Sequence, residues 1–196
     1  LKWALNESPL AGRIDEQKLV VADHSLGGKI SFYTAASDPR FKLVIAWDPQ
    51  NSGGPPCFDD QPALGGIVDA IGGAIGSGDC NDFPVAPNCQ ADNAGVGHLL
   101  RAETITFAAR DATTTPDTHH WAENFYRGAP SPAHLVLFDA AGHGDWGFTG
   151  PVTEVSKRAQ MALLLSRLQG YTGLDAYLPG GAELDSSDGV TLTQSK

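Results

Sequence analysis

A serine at the tip of a predicted strand-to-helix turn is the residue of this chain best suited to chemistry. Residues 19–28 read Leu-Val-Val-Ala-Asp-His-Ser-Leu-Gly-Gly, an apolar strand followed by Ser25 and a glycine-rich helix start. A sharp turn exposes the serine hydroxyl, which needs a base to become a nucleophile. It also aims the next backbone N–H, that of Leu26, at a developing oxyanion. The pattern therefore predicts Ser25 as nucleophile and Leu26 as an oxyanion donor.

The match to the usual Gly-x-Ser-x-Gly turn is partial, because Asp23 stands where the first glycine is expected. A side chain at this position could crowd the turn. A Ser-x-Gly triplet also occurs in ordinary loops. The catalytic interpretation therefore depends on the strand and helix around Ser25 and on suitable partner residues.

The base predicted for Ser25 is His143, in the small-residue turn Gly142–Asp145 that follows the last predicted strand. A histidine there can lie over the carboxyl edge of a parallel sheet and take the serine proton. The other histidines fit this role less well, and His24 is assigned only to the turn itself. The structural alternative is a turn histidine capped by Asp139 or Asp145.

Two aspartates compete as the acid that would orient the base. Asp48 directly follows the apolar run Phe41–Trp47, and Asp111 follows a second run that ends at Ala108. Both would lie at strand carboxyl ends, and Asp117 is a weaker third candidate. An aspartate after a strand is often only a turn cap, and one of the two leading candidates is expected to be one.

Composition limits the partner classes. The chain has 196 residues, 41% of them hydrophobic, and a formal net charge of −10. This is the composition of a globular domain, and the negative charge argues against nucleic acid. Apolar runs are too short to span a bilayer. The cysteine and histidine spacing argues against a zinc site, and the proposed chemistry needs no cofactor.

Strands and helices are predicted to alternate, which indicates an α/β fold with a mostly parallel sheet. Residues 1–17 look helical or irregular, and Gly170 is expected to end the last helix. The predicted strands are Lys18–Ala22, Phe41–Trp47, Thr104–Ala108 and His134–Phe138, and the predicted helices are Gly28–Ala36, Thr118–Tyr126 and Pro151–Leu168.

A segment at about residues 49–98 interrupts the alternation. It is rich in Gly, Pro, Asp and Asn, and its apolar residues are too diluted by glycine to predict a firm helix. We interpret it as an apolar, lid-like insert beside the site. It would belong to a single domain, residues 1–196. The alternative is an insert on the surface that has no role in the site. It contains Cys57, Cys80 and Cys89, of which Cys80 and Cys89 could form a disulfide in an oxidising compartment.

Together these residues resemble the α/β-hydrolases, and more narrowly the chlorophyllase and chlorophyllase-like branch, which is related to dienelactone hydrolases and small polyester esterases. The resemblance covers about residues 7–180, weakly through the insert. It is carried by His24–Lys29, by Ile45–Pro49 followed by Gly53–Pro56, and by Ala122–Tyr126 with Ala129–Ala133 and Gly142–Asp145.

This resemblance implies an α/β-hydrolase fold, with Ser25 as nucleophile and His143 as base. The acid would be Asp48 in the manner of the chlorophyllases, or Asp111 in the manner of the dienelactone and polyester hydrolases. Both are kept, with a slight preference for Asp48. Such hydrolases normally carry several strands before the serine turn, so we expect this chain to be a C-terminal part, with an N-terminal fragment of the same protein as one partner.

The expected function is hydrolysis of an apolar small-molecule ester, and the phytyl ester of chlorophyll is the first candidate substrate. Transient contact with a membrane surface is a further expectation. A general carboxylesterase or a polyester- or dienelactone-type hydrolase is the alternative. The second alternative is a non-catalytic binding protein of the same fold, and a cysteine redox protein is the least favoured. The compartment stays open between a chloroplast, if the substrate is chlorophyll, and an extracytoplasmic space, if the disulfide forms.

Overall fold

The computed structural model describes residues 1–49, 99–110, 118–139, 141–146, 151–187 and 189–196. Strands and helices alternate along most of this chain, and a short 3₁₀ turn lies at Asp175–Tyr177. The elements are α1 (Lys2–Asn6), β1 (Leu19–His24), α2 (Leu26–Ser37), β2 (Phe41–Trp47), β3 (Glu103–Ala109), α3 (Thr118–Gly128), β4 (Ala133–Phe138), α4 (Pro151–Gln169), α5 (Ala182–Asp185) and β5 (Val190–Ser195).

The strands form one five-stranded sheet in the order β1-β2-β3-β4-β5. The first four strands are parallel, and β5 pairs antiparallel with β4. The carboxyl ends of β1 to β4 therefore meet at one edge of the sheet, which we call the carboxyl edge. In an open α/β sheet, residues beyond this edge are the ones that can converge on a ligand.

Helices cover both faces of the sheet. On one face, α4 packs Val155, Ala159 and Leu163 against strand residues that include Ile45 and Phe107. On the other face, α2 and α3 stack Phe32 on Phe125, with ring centroids 4.2 Å apart. This three-layer packing removes the central strands from water and makes the sheet a firm base for the loops that follow it.

The sequence predicted this α/β class and the first four strands correctly. The bounds of β2 are as predicted, whereas β1 runs two residues further, through Asp23 and His24 to the serine. Gly170 has φ +74° directly after α4, as its predicted role at the helix end requires. The strand β5 was not predicted. Residues 50–98 of the insert lie outside the described residues, and so do its cysteines and the predicted Cys80–Cys89 disulfide.

Within the described ranges, none of the helices is both long enough and apolar enough to cross a membrane.

Candidate active site

Ser25 occupies a strained turn between β1 and α2. Its backbone has φ 60° and ψ −128°, a conformation that is costly for a residue with a side chain, at about 1–3 kcal/mol. The Ser25 N–H donates to the carbonyl of Trp47 over 2.9 Å, so the pairing of β1 with β2 continues to the serine itself. This pairing holds the hydroxyl at the carboxyl edge in a fixed position, as a nucleophile requires.

His143 lies over the same edge, in the loop that follows β4. Its Nε2 is 2.9 Å from the hydroxyl oxygen of Ser25, although the two residues are 118 positions apart. Its side chain is 19% exposed, so substrate or water can reach the imidazole. The geometry allows the serine O–H to donate to the unprotonated Nε2, which is the arrangement of a nucleophile and its general base.

The loop that carries His143 is braced on both sides. Asp145 accepts a hydrogen bond from the Gly142 N–H over 2.6 Å and donates its own N–H to the Gly142 carbonyl over 3.0 Å. The Thr153 hydroxyl of α4 donates to the carbonyl of Asp145 over 2.8 Å. These contacts close a tight turn around the histidine and fasten it to α4. Asp145 thus shapes the turn rather than capping the imidazole.

Asp48 is the carboxylate that meets the base. His143 Nδ1–H donates to Asp48 Oδ2 over 2.6 Å, and the Ala109 N–H donates to Oδ1 over 3.2 Å. The Asp48 side chain is fully buried, and a buried carboxylate is tolerable only with such donors. The backbone of Asp48 has φ 43° and its N–H donates to the Phe107 carbonyl over 2.7 Å, which aims the side chain along the edge toward the histidine.

Leu26 is the first residue of α2, so its N–H has no acceptor inside the helix. Ser25 is the N-cap residue of this twelve-residue helix, and helix dipoles favour negative charge at the amino end. An oxyanion formed next to the serine would therefore meet a favourable field there. This is the position in which the sequence predicted an oxyanion donor.

Asp23 does not prevent the turn. Its Oδ1 accepts the His24 N–H over 2.8 Å, and its carboxylate lies over the Cα of Gly27, where an added methyl group would overlap it. The glycine that the motif lacks at position 23 is thus offset by the one at position 27, which makes room for the larger side chain.

Sequence reasoning missed His24. Its Nε2 lies 2.8 Å from the backbone carbonyl of His143, and the two imidazole rings have centroids 4.5 Å apart at an angle of 33°. Burial, and secondly the neighbouring imidazole of His143, lower the pKa of His24 below its ordinary value, against weaker opposing effects from the hydrogen bond to the His143 carbonyl and from Asp48 and Asp23. Its position as the last residue of a strand at the carboxyl edge, next to the nucleophile, was the signal that could have identified it.

A second serine–histidine–carboxylate contact lies at the opposite edge of the sheet. His134 is 2.8 Å from Ser195 Oγ through Nδ1 and 2.9 Å from Glu103 Oε1 through Nε2, and Arg167 Nε donates to Glu103 Oε2 over 2.8 Å. Ser195, however, lies in the regular strand β5 and its hydroxyl is within reach of the Pro179 carbonyl, at 3.2 Å. It has neither a strained turn nor a helix amino end beside it, so this cluster fastens β5 rather than forming a nucleophile.

The structure thus brings together Ser25, His143 and Asp48, with Leu26 beside them. Asp111 and Asp117 lie outside the described residues, so their positions are not compared with that of Asp48. Among the described side chains, no group of three or more His, Cys, Asp and Glu residues is placed to hold a metal ion.

The chain matches none of the protein-family models, and no curated protein aligns with it significantly.

Proposed function

We propose that this chain is a serine hydrolase that cleaves carboxylic esters through an acyl-enzyme. The observation that carries the proposal is the continuous contact from Ser25 Oγ through the His143 imidazole to Asp48, at 2.9 Å and 2.6 Å. Nucleophile, base and orienting acid are recognised by this geometry rather than by their sequence positions.

In the first step, Ser25 Oγ attacks the ester carbonyl carbon while its proton passes to His143 Nε2. The carbonyl oxygen becomes an oxyanion, which the Leu26 N–H and the amino end of α2 stabilise. The imidazolium is stabilised by the Asp48 carboxylate on its Nδ1–H. The carbon–oxygen bond to the alcohol then breaks, and the alcohol leaves with the proton from Nε2.

The second step releases the acid. Water enters beside His143, gives a proton to Nε2 and attacks the acyl carbon. The bond to Ser25 breaks, the serine oxygen recovers its proton, and the carboxylic acid departs. The partial exposure of the His143 side chain provides the access that this water needs.

We propose that the chain is an α/β-hydrolase, and two features support this. The strand–turn–helix around Ser25 and the chain order Ser, Asp, His are those of this superfamily. Within it, the contact of Asp48 with His143 favours the chlorophyllase-like arrangement over one that uses Asp111. We would therefore test apolar esters first, beginning with the phytyl ester of chlorophyll, and short aryl esters second. Hydrolysis of the short aryl esters alone would indicate a general carboxylesterase.

The test is ester turnover by the wild-type chain and two serine variants. We expect Ser25→Ala to abolish turnover, because the nucleophile is gone, and Ser195→Ala to retain it. The second variant is a matched control, since Ser195 also contacts a histidine that contacts a carboxylate. Wild-type protein that binds an apolar ester without turnover would support a non-catalytic binding protein instead.

A further inference from the structure

We propose that His24 is a positioning residue for the reaction at Ser25: it fixes the backbone of His143 with one ring nitrogen and supports the imidazolium of His143 with its ring face. This inference rests on the proposed hydrolase function and adds a residue to it. A hydrogen bond, a ring contact and the charge that the reaction develops beside them support this role.

The hydrogen bond joins two elements whose relative position decides catalysis. Ser25 follows β1, whereas His143 belongs to a loop after β4, and loops are the less rigid parts of a fold. His24, the last residue of β1, reaches across to the carbonyl of His143 over 2.8 Å. The strand that carries the nucleophile thus holds the backbone of the base directly, independently of the contacts made by the imidazole.

The partner of this hydrogen bond determines which ring nitrogen of His24 carries the proton. A backbone carbonyl only accepts hydrogen bonds, so Nε2 of His24 must carry the proton and donate it. The neutral ring then has an unprotonated Nδ1. Loss of this donor would remove the direct tie to β1 and leave the His143 backbone held by the Gly142–Asp145 turn and Thr153. A displacement of about 1 Å in an active site can cost about 100-fold in rate.

The ring contact acts when His143 becomes charged. The two ring centroids are 4.5 Å apart, within the distance at which a cation is attracted to an aromatic face. A neutral His24 therefore supports the imidazolium, whereas a protonated His24 would place a second positive charge against it. The groups that face His24 are His143, Asp48 and Asp23. Burial and the charge of the His143 imidazole lower the pKa of His24, and they outweigh the hydrogen bond to the His143 carbonyl and the two carboxylates, which raise it.

The experiment compares kcat, KM and the pH dependence of kcat/KM for wild type, His24→Ala, His24→Phe and His24→Gln. Phenylalanine keeps a ring without the donor, and glutamine keeps an amide donor without the ring. His134→Gln is the matched control, because it alters a buried, hydrogen-bonded histidine at the opposite edge of the sheet. Thermal unfolding of each variant identifies any that does not fold, and the His24 variants that do fold then decide the question.

We expect His24→Ala to lower kcat about 10- to 100-fold with KM changed by less than about threefold. The Phe and Gln variants should lie between alanine and wild type, and His134→Gln should match wild type. In the wild type, the plot of log(kcat/KM) against pH should steepen on its acid side from a slope of one to a slope of two as the pH falls. The reason is that the imidazoles of His24 and His143 must both be neutral. All three His24 variants should keep a slope of one.

A His24→Ala enzyme with kcat within twofold of wild type would overturn the proposal. So would a wild-type slope that never exceeds one, or a slope of two that persists without His24. Failure of the hydrolase function itself looks different, since the wild type would then lack ester turnover and its Ser25→Ala variant would match it.

Discussion

The carboxylate of Asp48 lies directly behind His143, with Oδ2 2.6 Å from Nδ1 of the imidazole across 95 positions of sequence. Each of its oxygens accepts a hydrogen bond, one from the histidine and one from the backbone of β3. The buried acid therefore fixes the tautomer of His143 that leaves Nε2 free to take the serine proton.

Asp48→Asn should lower kcat for ester hydrolysis by about 10³- to 10⁴-fold. The amide is the same size, but it can turn its N–H₂ toward Nδ1 and stabilise the wrong tautomer. Steady-state kinetics on one ester measure the effect. Asp111→Asn is the matched control. Its kcat should stay within about threefold of the wild-type value, because Asp48 already accepts the hydrogen bond of His143 Nδ1. Loss of activity in the Asp111 variant with a fully active Asp48 variant would reassign the acid.

Gly27→Ala should lower the free energy of unfolding by about 1 kcal/mol or more, because its methyl group would overlap the Asp23 carboxylate. Urea unfolding at pH 7 measures this change. In the double variant that adds Asp23→Ala, most of the loss should be recovered, since the overlapping group is removed. Equal losses in the single and double variants would show that the Asp23 side chain is not what excludes a methyl group at position 27.

Acid should weaken the cluster of Glu103, His134, Arg167 and Ser195. Burial alone would raise the pKa of Glu103, but hydrogen bonds from His134 and Arg167 outweigh it and lower the pKa below the ordinary 4.5. The unfolded chain therefore binds the proton first as the pH falls. The stability that Glu103 contributes is fully present above about pH 4.5 and is lost as the pH falls through its lower folded pKa.

Urea unfolding of Glu103→Gln between pH 7 and pH 3 tests this linkage. The variant should be about 1–3 kcal/mol less stable at pH 7 and should lose less stability than wild type on acidification. The exposed carboxylate of Glu7 provides the control, and Glu7→Gln should follow the wild-type curve. A Glu103→Gln curve parallel to wild type would contradict the assigned direction of the pKa shift.

The sequence predicted the part of the site that follows from strand order. Apolar runs identified β2 and its neighbours, and the rule that functional residues follow strand carboxyl ends selected Ser25, Asp48 and His143. It could not choose between Asp48 and Asp111, because both follow a strand and only the tertiary contact with His143 distinguishes an acid from a turn cap.

Two features escaped prediction for physical reasons. The strand β5, Val190–Ser195, alternates apolar and polar residues and is partly exposed, because it is the last strand of the sheet. It therefore lacks the continuous apolar run of a buried strand. For His24, the sequence offered only its position next to the nucleophile. Its partner is a backbone carbonyl of a distant loop, and such a contact cannot be predicted from residue types.

The most direct test of the account is labelling with a fluorophosphonate probe, which reacts with an activated serine, read by intact mass and by the labelled peptide. We expect one adduct per chain, on Ser25, which is absent from Ser25→Ala and retained in Ser195→Ala. An unmodified wild-type chain, or an adduct on Ser195, would contradict the assignment of Ser25, His143 and Asp48 as the hydrolytic site.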